Sequence, residues 1–180
     1  MQRFEVAPWA TSLKVVSALG TLVLVGAAFI LFRAIPRGTR VPFAETFGTI
    51  LPAVPLLTLF FALLFVVNGY ELDTSGLRVQ RLLWSTRLSL AGLDRAWHDP
   101  SVMCRSLRLF GNGGLFSVTG LFQNATLGRY RAFVTDPKQA VILHFPSRVV
   151  VLSPRYPHAF VGHLHTLIPN LAEGGPGSAA

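Results

Sequence analysis

The side chains in this sequence best suited to recognition chemistry are arginines. Arg105, Arg108, Arg129 and Arg131 fall in two stretches separated by a glycine-rich segment. A guanidinium presents a planar fork of donors that matches carboxylate or phosphate. If the two strands carrying these residues are neighbours, the four arginines form a basic face able to bind an anion. The competing reading is a solvated strand face, since surface arginines are common and their pairwise energies small.

The other polar groups do not assemble into a catalytic set. His158, His163 and His165 lie near the C-terminus. A closed metal site normally needs four converging ligands. His158 and His165 share one helical face while His163 points elsewhere, so no metal is expected. Gly111-Asn112-Gly113-Gly114 would cradle a phosphate only if a helix N-terminus followed. The sequence that follows is strand-like and lacks the Lys-Ser/Thr pair of a phosphate loop, so the glycines read as a turn. Asp94, His98, Asp99 and Ser101 are close together, but Asp99-Pro100-Ser101 has the chemistry of a turn. Ser153 before Pro154 reads as a connector, and the sequon Asn124-Ala125-Thr126 has no secretory context. The chain is therefore read as non-enzymatic, with no catalytic residues and no cofactor.

Composition says what must carry these groups. Hydrophobic residues make up 51% of the 180 positions and charged residues 13%. Soluble domains carry about 25% charged residues, and the deficit calls for a membrane. The net charge is +8, which attracts polyanions; for a tethered chain the nearer polyanion is anionic lipid, and no nucleic-acid partner is expected. The single cysteine, Cys104, reads as a small core residue.

Two apolar runs account for the composition. Residues 15–32 are uncharged and bracketed by Lys14 and Arg33, with Trp9 at interface depth. The run exceeds the core of a signal peptide, about 7–15 residues, and no small-residue cleavage site follows. Residues 48–67 form a second uncharged run, with Pro52 and Pro55 near its start. Residues 1–67 thus read as an anchor, a two-helix transmembrane hairpin joined by a short link over 33–47. Both ends of the hairpin then lie on one side of the cell membrane. The arginine balance around the hairpin does not decide which side; an arginine-rich surface favours the cytoplasmic face, where anionic lipid is concentrated.

Residues 68–171 change character. Alternating apolar patterns predict short strands over 77–84, 93–97, 105–110 and 129–135. The stretch 70–73 is strand-like, 87–90 can pair back on 77–84, and 140–145 and 148–152 are β-branched runs that read as strands; 115–127 fits either a strand or irregular structure. Pro146-Ser147 joins the last two as a hairpin. Phe160, Val161, Leu164, Leu167, Ile168 and Leu171 recur at helical spacing, with Pro157 in the first turn and Pro169 as terminator. Residues 172–180 read as a disordered tail.

Three stretches give this region a family likeness. They are Tyr70-Glu71-Leu72-Asp73 with Gly76-Leu77; the glycine series 111–114 with Gly120-Leu121-Phe122 and Leu127-Gly128-Arg129-Tyr130; and Val149 to Pro154 with Phe160-Val161 and Leu164. Over 68–168 the chain resembles the bacterial pleckstrin-homology (PH)-like domains in their membrane-anchored form. The resemblance implies a mainly β, α+β fold: a seven-stranded barrel or sandwich of two sheets with one C-terminal helix. It implies no enzyme and no common ligand. Arg78, Arg81 and Arg87 are the nearest basic residues in the first hairpin. The expected function is a membrane-anchored interaction module for a protein partner or anionic lipid; the alternative is an accessory subunit of a membrane transport or envelope enzyme complex.

Overall fold

A computed structural model describes residues 2–34, 50–74 and 76–174. Residues 35–49, with most of the expected link and the start of the second apolar run, lie outside the described residues, as do 175–180 of the expected tail.

Helix α1 spans Thr11–Ala34. Its 24 residues rise about 36 Å at roughly 1.5 Å each, enough to cross a hydrocarbon layer of about 30 Å. Most of its large side chains are exposed, Leu22 at 71% and Ile30 at 66%, as a lipid-facing helix requires. It is the one helix among the described residues that is long and apolar enough to cross a membrane. Helix α2, Ala53–Leu64, is apolar but has 12 residues, about 18 Å. It lies against α1. The second run was expected to continue as helix to Val67. Instead the last turn tightens, with Phe65 N–H bonded to Ala62 O and Val66 N–H to Leu63 O. Val67 then starts a strand and pairs with Arg81. Apolarity is continuous across this point, but β-branched Val66 and Val67 favour the ladder.

The described strands form two sheets, as expected, but the sheets have four and seven strands and are open, rather than sharing seven strands in a barrel or sandwich. The first sheet has the order β1-β2-β3-β4, with β1 Gln2–Phe4, β2 Val67–Asp73, β3 Gly76–Arg81 and β4 Ser85–Leu88. The second contains β5 Arg95–His98, β6 Leu107–Gly113, β7 Val118–Asn124, β8 Gly128–Val134, β9 Val141–Phe145, β10 Arg148–Leu152 and β11 Ala172–Glu173, in the order β11-β5-β9-β10-β8-β7-β6. The segment 115–127, open in the sequence, thus contains a full strand. Ala172, expected in the tail, pairs with Arg95.

Two apolar clusters flank the seven-stranded sheet. Val141, Leu143, Val150, Leu152 and Phe133 join Tyr70, Leu72, Leu77 and Val79 of the first sheet between the layers. Ile142, Val149, Val151, Tyr130 and Ala132 point the other way. Successive residues of β9 and β10 are therefore buried on alternate faces, which is why these strands read as continuous apolar runs. Helix α3, Pro157–Leu167, closes the first cluster with Phe160 and Leu164. It ends earlier than its pattern suggests: Leu171 is buried beyond its end, in the chain that leads to β11.

Two local readings need correction. Cys104 is exposed; the turn at 101–105 gives its inward position to Val102 instead. Strand β1 precedes α1 and pairs antiparallel with β2, Phe4 opposite Tyr70. Residues 2–4 of the expected anchor are therefore a strand of the first sheet.

Candidate functional site

The exit of α2 from its last turn sets the geometry of the main cavity. Thr58, Phe61, Ala62 and Phe65 recur at three- and four-residue spacing and form one face of the segment. Opposite them lies the face of β6, β7 and β8 that carries Phe110, Thr119, Leu121, Arg131 and Phe133. The cleft between the two has a volume of about 750 Å³.

Its floor depends on two glycines. Gly111 and Gly120 are directly opposed across β6 and β7. Both have positive φ, 107° and 144°. A Cβ on Gly120 would stand 2.1 Å from the Phe110 carbonyl oxygen. Only glycine allows this approach. The glycine series expected to be a turn is instead mostly strand: Gly111 to Gly113 end β6, and the chain bends only at 114–117, where the Asn112 carboxamide oxygen accepts from the Leu115 N–H at 2.9 Å.

Arg81, Arg108 and Arg131 line the cleft. The Arg81 guanidinium sits 5.0 Å from the Phe65 ring centre and 5.4 Å from that of Phe133. Arg131 lies 5.4 Å from the same Phe133 ring. Two cations thus share one aromatic side chain. Burial lowers the pKa of Arg81, and the neighbouring charge of Arg131 acts in the same direction. A guanidinium nevertheless stays charged at neutral pH. The ion pairs among the described residues join Arg95 and His144 to Asp94 and Arg155 to Glu5, so no carboxylate neutralises the cleft arginines there. Arg81 Nε and the Thr119 hydroxyl are buried and have no hydrogen-bond partner among the described residues. The cleft therefore combines apolar walls, excess positive charge and unused hydrogen-bonding groups.

The four arginines singled out in the sequence separate. Arg108 and Arg131 line the cleft; Arg105 and Arg129 do not. Arg105 occupies the turn before β6, at φ 55°. Arg129 is exposed near the start of β8, opposite Gln123. Arg81, noted only as part of the first hairpin, replaces them. Its link to Arg131 joins the two sheets, a relation that spacing along the chain does not carry. In β3 it follows Leu77 and Val79 at alternate positions, both of them buried.

The other polar groups hold loops. The Asp99 carboxylate accepts from the Ser101 N–H at 2.8 Å and its hydroxyl at 2.7 Å. His98 Nε2 lies 3.2 Å from the Lys138 carbonyl oxygen. His158 packs on His98 and His163 on Phe4, so these two histidines of the C-terminal trio diverge. Ser153 is a buried connector that accepts from the Thr135 N–H at 2.8 Å.

Exposed apolar side chains lie beside the cleft. Leu82, Leu83 and Trp84 form the β3–β4 turn, and Leu107, Leu109 and Phe110 lie on edge strand β6. Leu83 is 70% exposed and Phe110 80%. Trp84 packs edge-on against Phe65, with ring centres 5.3 Å apart.

Comparison with known proteins agrees with this architecture. A family model described as "Bacterial PH domain" matches residues 68–168, more than half of the chain. No curated protein and no solved structure matches it.

Proposed function

Because the chain belongs to the bacterial PH domain family, we propose that it is a non-catalytic interaction module. Two membrane spans hold it on the cytoplasmic face of the cell membrane, with the arginine cleft turned towards the bilayer. The pairing of β1 with β2 carries this reading. One strand precedes α1 and the other follows α2, so the chain before and after the apolar segments lies in one sheet. If α1 crosses, the chain must cross back, and the run that includes α2 is the segment available.

Further contacts support the same arrangement. Ala7 N–H bonds to Ser153 O at 2.8 Å, and the Thr135 hydroxyl donates to Ala7 O at 2.7 Å. On α1, the Ser17 hydroxyl accepts from the Phe116 N–H at 2.8 Å. The domain thus rests on the first turns of α1 and the last turn of α2. Trp9 and Lys14 near one helix and Trp84 and Arg81 near the other suit the headgroup level. The cleft arginines suit the anionic inner leaflet.

Cys104 provides the test, as the sole cysteine of the sequence and exposed. A membrane-impermeant maleimide should label it in spheroplasts only after permeabilisation. A cysteine placed in the link (Thr39→Cys in a Cys104→Ser background) should react in intact spheroplasts. Labelling of both from the same side would overturn the two-span reading. Labelling of Cys104 from outside would reverse the orientation.

A further inference from the structure

We propose that the cleft between α2 and the β6-β7-β8 face is a binding site for an anionic phospholipid drawn from the adjoining leaflet. Arg81 and Arg131 hold its phosphate, and the α2 face of Phe61 and Phe65 lies along its acyl chain. This inference rests on the reading above that α2 lies in the membrane.

Each part of such a ligand has a counterpart in the cleft. The phosphate is an anion with several acceptor oxygens; Arg81, Arg108 and Arg131 supply positive charge without a carboxylate competitor among the described residues. The Arg81 Nε and the Thr119 hydroxyl, both buried without partners there, are suited to the phosphate and its ester oxygens. The acyl chain is apolar, and Phe61, Ala62 and Phe65 supply an apolar wall. The wall belongs to the segment that leaves the bilayer, so a lipid can enter sideways without leaving its leaflet. A free phosphate would use the arginines but not the wall; a zwitterionic lipid has the same phosphodiester, but its own ammonium group offsets that charge and leaves the net positive charge of the cleft unmatched. Low polarity around the guanidinium groups strengthens their pull on an anion relative to water. The cation–π contacts of Arg81 and Arg131 with Phe133 hold both heads in place before a ligand arrives.

The test uses the full chain in lipid nanodiscs. Photoactivatable phosphatidylglycerol and photoactivatable phosphatidylcholine, each in a phosphatidylcholine background, are crosslinked and the labelled peptides mapped. Phosphatidylglycerol should label the α2 and β6–β8 peptides about tenfold more than phosphatidylcholine, whose choline cation offsets the charge of its phosphate. Arg131→Gln, at an exposed position, should remove most of that preference, and Arg81→Gln with Arg131→Gln should remove it all. The charge-matched pair Arg87→Gln and Arg105→Gln, outside the cleft, should leave it intact. Excess inorganic phosphate should compete weakly. Equal labelling by the two lipids, labelling mapped elsewhere, equal loss in the control pair, or full displacement by inorganic phosphate would each overturn the proposal. Maleimide topology of the same variants separates this failure from a failure of the anchor reading.

Discussion

The Tyr70 hydroxyl donates to the Phe133 carbonyl oxygen at 2.5 Å and so ties the four-stranded sheet to the seven-stranded one. The Tyr70 hydroxyl oxygen in turn accepts from the Ser153 N–H at 3.1 Å. Tyr70 is fully buried. One side chain therefore satisfies two backbone groups that would otherwise be stranded between the layers.

Tyr70→Phe keeps the ring and removes both bonds. A stranded buried group costs about 1–3 kcal/mol, so a loss of about 2–3 kcal/mol is expected, or roughly 4–12 °C in thermal midpoint for a chain of this size. Thermal unfolding of the full chain in detergent measures it; an unchanged midpoint would show that the hydroxyl does not bridge the sheets.

The same group predicts an alkaline transition. Burial pushes the Tyr70 pKa up to about 12, against opposing hydrogen bonds from Ser153; an unfolded tyrosine titrates near about 10. Between those values the folded state holds the proton and the unfolded state has lost it, so stability falls as pH rises. The contribution is intact below pH about 10 and is lost towards 12, on the order of 2–3 kcal/mol in all. The midpoint gap between the native chain and Tyr70→Phe should therefore shrink over that window. A gap constant with pH would contradict it.

Two glycines of the β7–β8 hairpin make a contrasting prediction. Gly120 and Gly128 both have positive φ, 144° and 64°. A Cβ at Gly120 would collide with the Phe110 carbonyl, whereas nothing lies within 4 Å of one at Gly128. Gly128→Ala should cost only the left-handed backbone, about 1–2 kcal/mol. Gly120→Ala adds the collision and should cost clearly more. Equal midpoints for the two variants would mean that the strands are not in close contact there.

Local order was legible where a run of side chains met one environment. The 140–152 hairpin, with Pro146-Ser147 between its strands, and the helix begun by Pro157 were readable because each pattern is local. The pairing of β8 with β10 is parallel and β1 meets β2 across both apolar helices; neither leaves a periodic mark. Gln2–Phe4 is three residues long, below the length at which alternation is visible. The arginine site was half legible. Arg108 and Arg131 were selected by residue type, but Arg81 joins them through Phe133, and that contact exists only once the sheets pack.

The β3–β4 turn tests where the bilayer surface lies. Leu82, Leu83 and Trp84 are exposed, yet Trp84 packs on Phe65 just beyond α2. In the proposed arrangement the turn lies among lipid headgroups and upper acyl carbons, where tryptophan is enriched. With Trp9 and Trp97 replaced by Phe, Trp84 should be quenched strongly by lipids brominated near the headgroup and weakly by those brominated near the chain end. Quenching by aqueous iodide alone would place the turn in water.

Strand β1 gives the last prediction. The Phe4 ring meets the fully buried Phe160 edge-on, with centres 5.0 Å apart, while Gln2 on the same strand is exposed. Full burial of a phenylalanine is worth about 3–5 kcal/mol on truncation; for the half-buried Phe4 roughly 2 kcal/mol is expected. Phe4→Ala should lower the thermal midpoint by about 4–8 °C, and Gln2→Ala by little, since exposed substitutions stay within about 0.5 kcal/mol. Maleimide labelling of Cys104 should keep its sidedness in both variants, because the apolar helices are untouched. An unchanged midpoint in Phe4→Ala would mean that the N-terminal strand does not dock on the domain, and the requirement that the chain return to the same side of the membrane would lose its support.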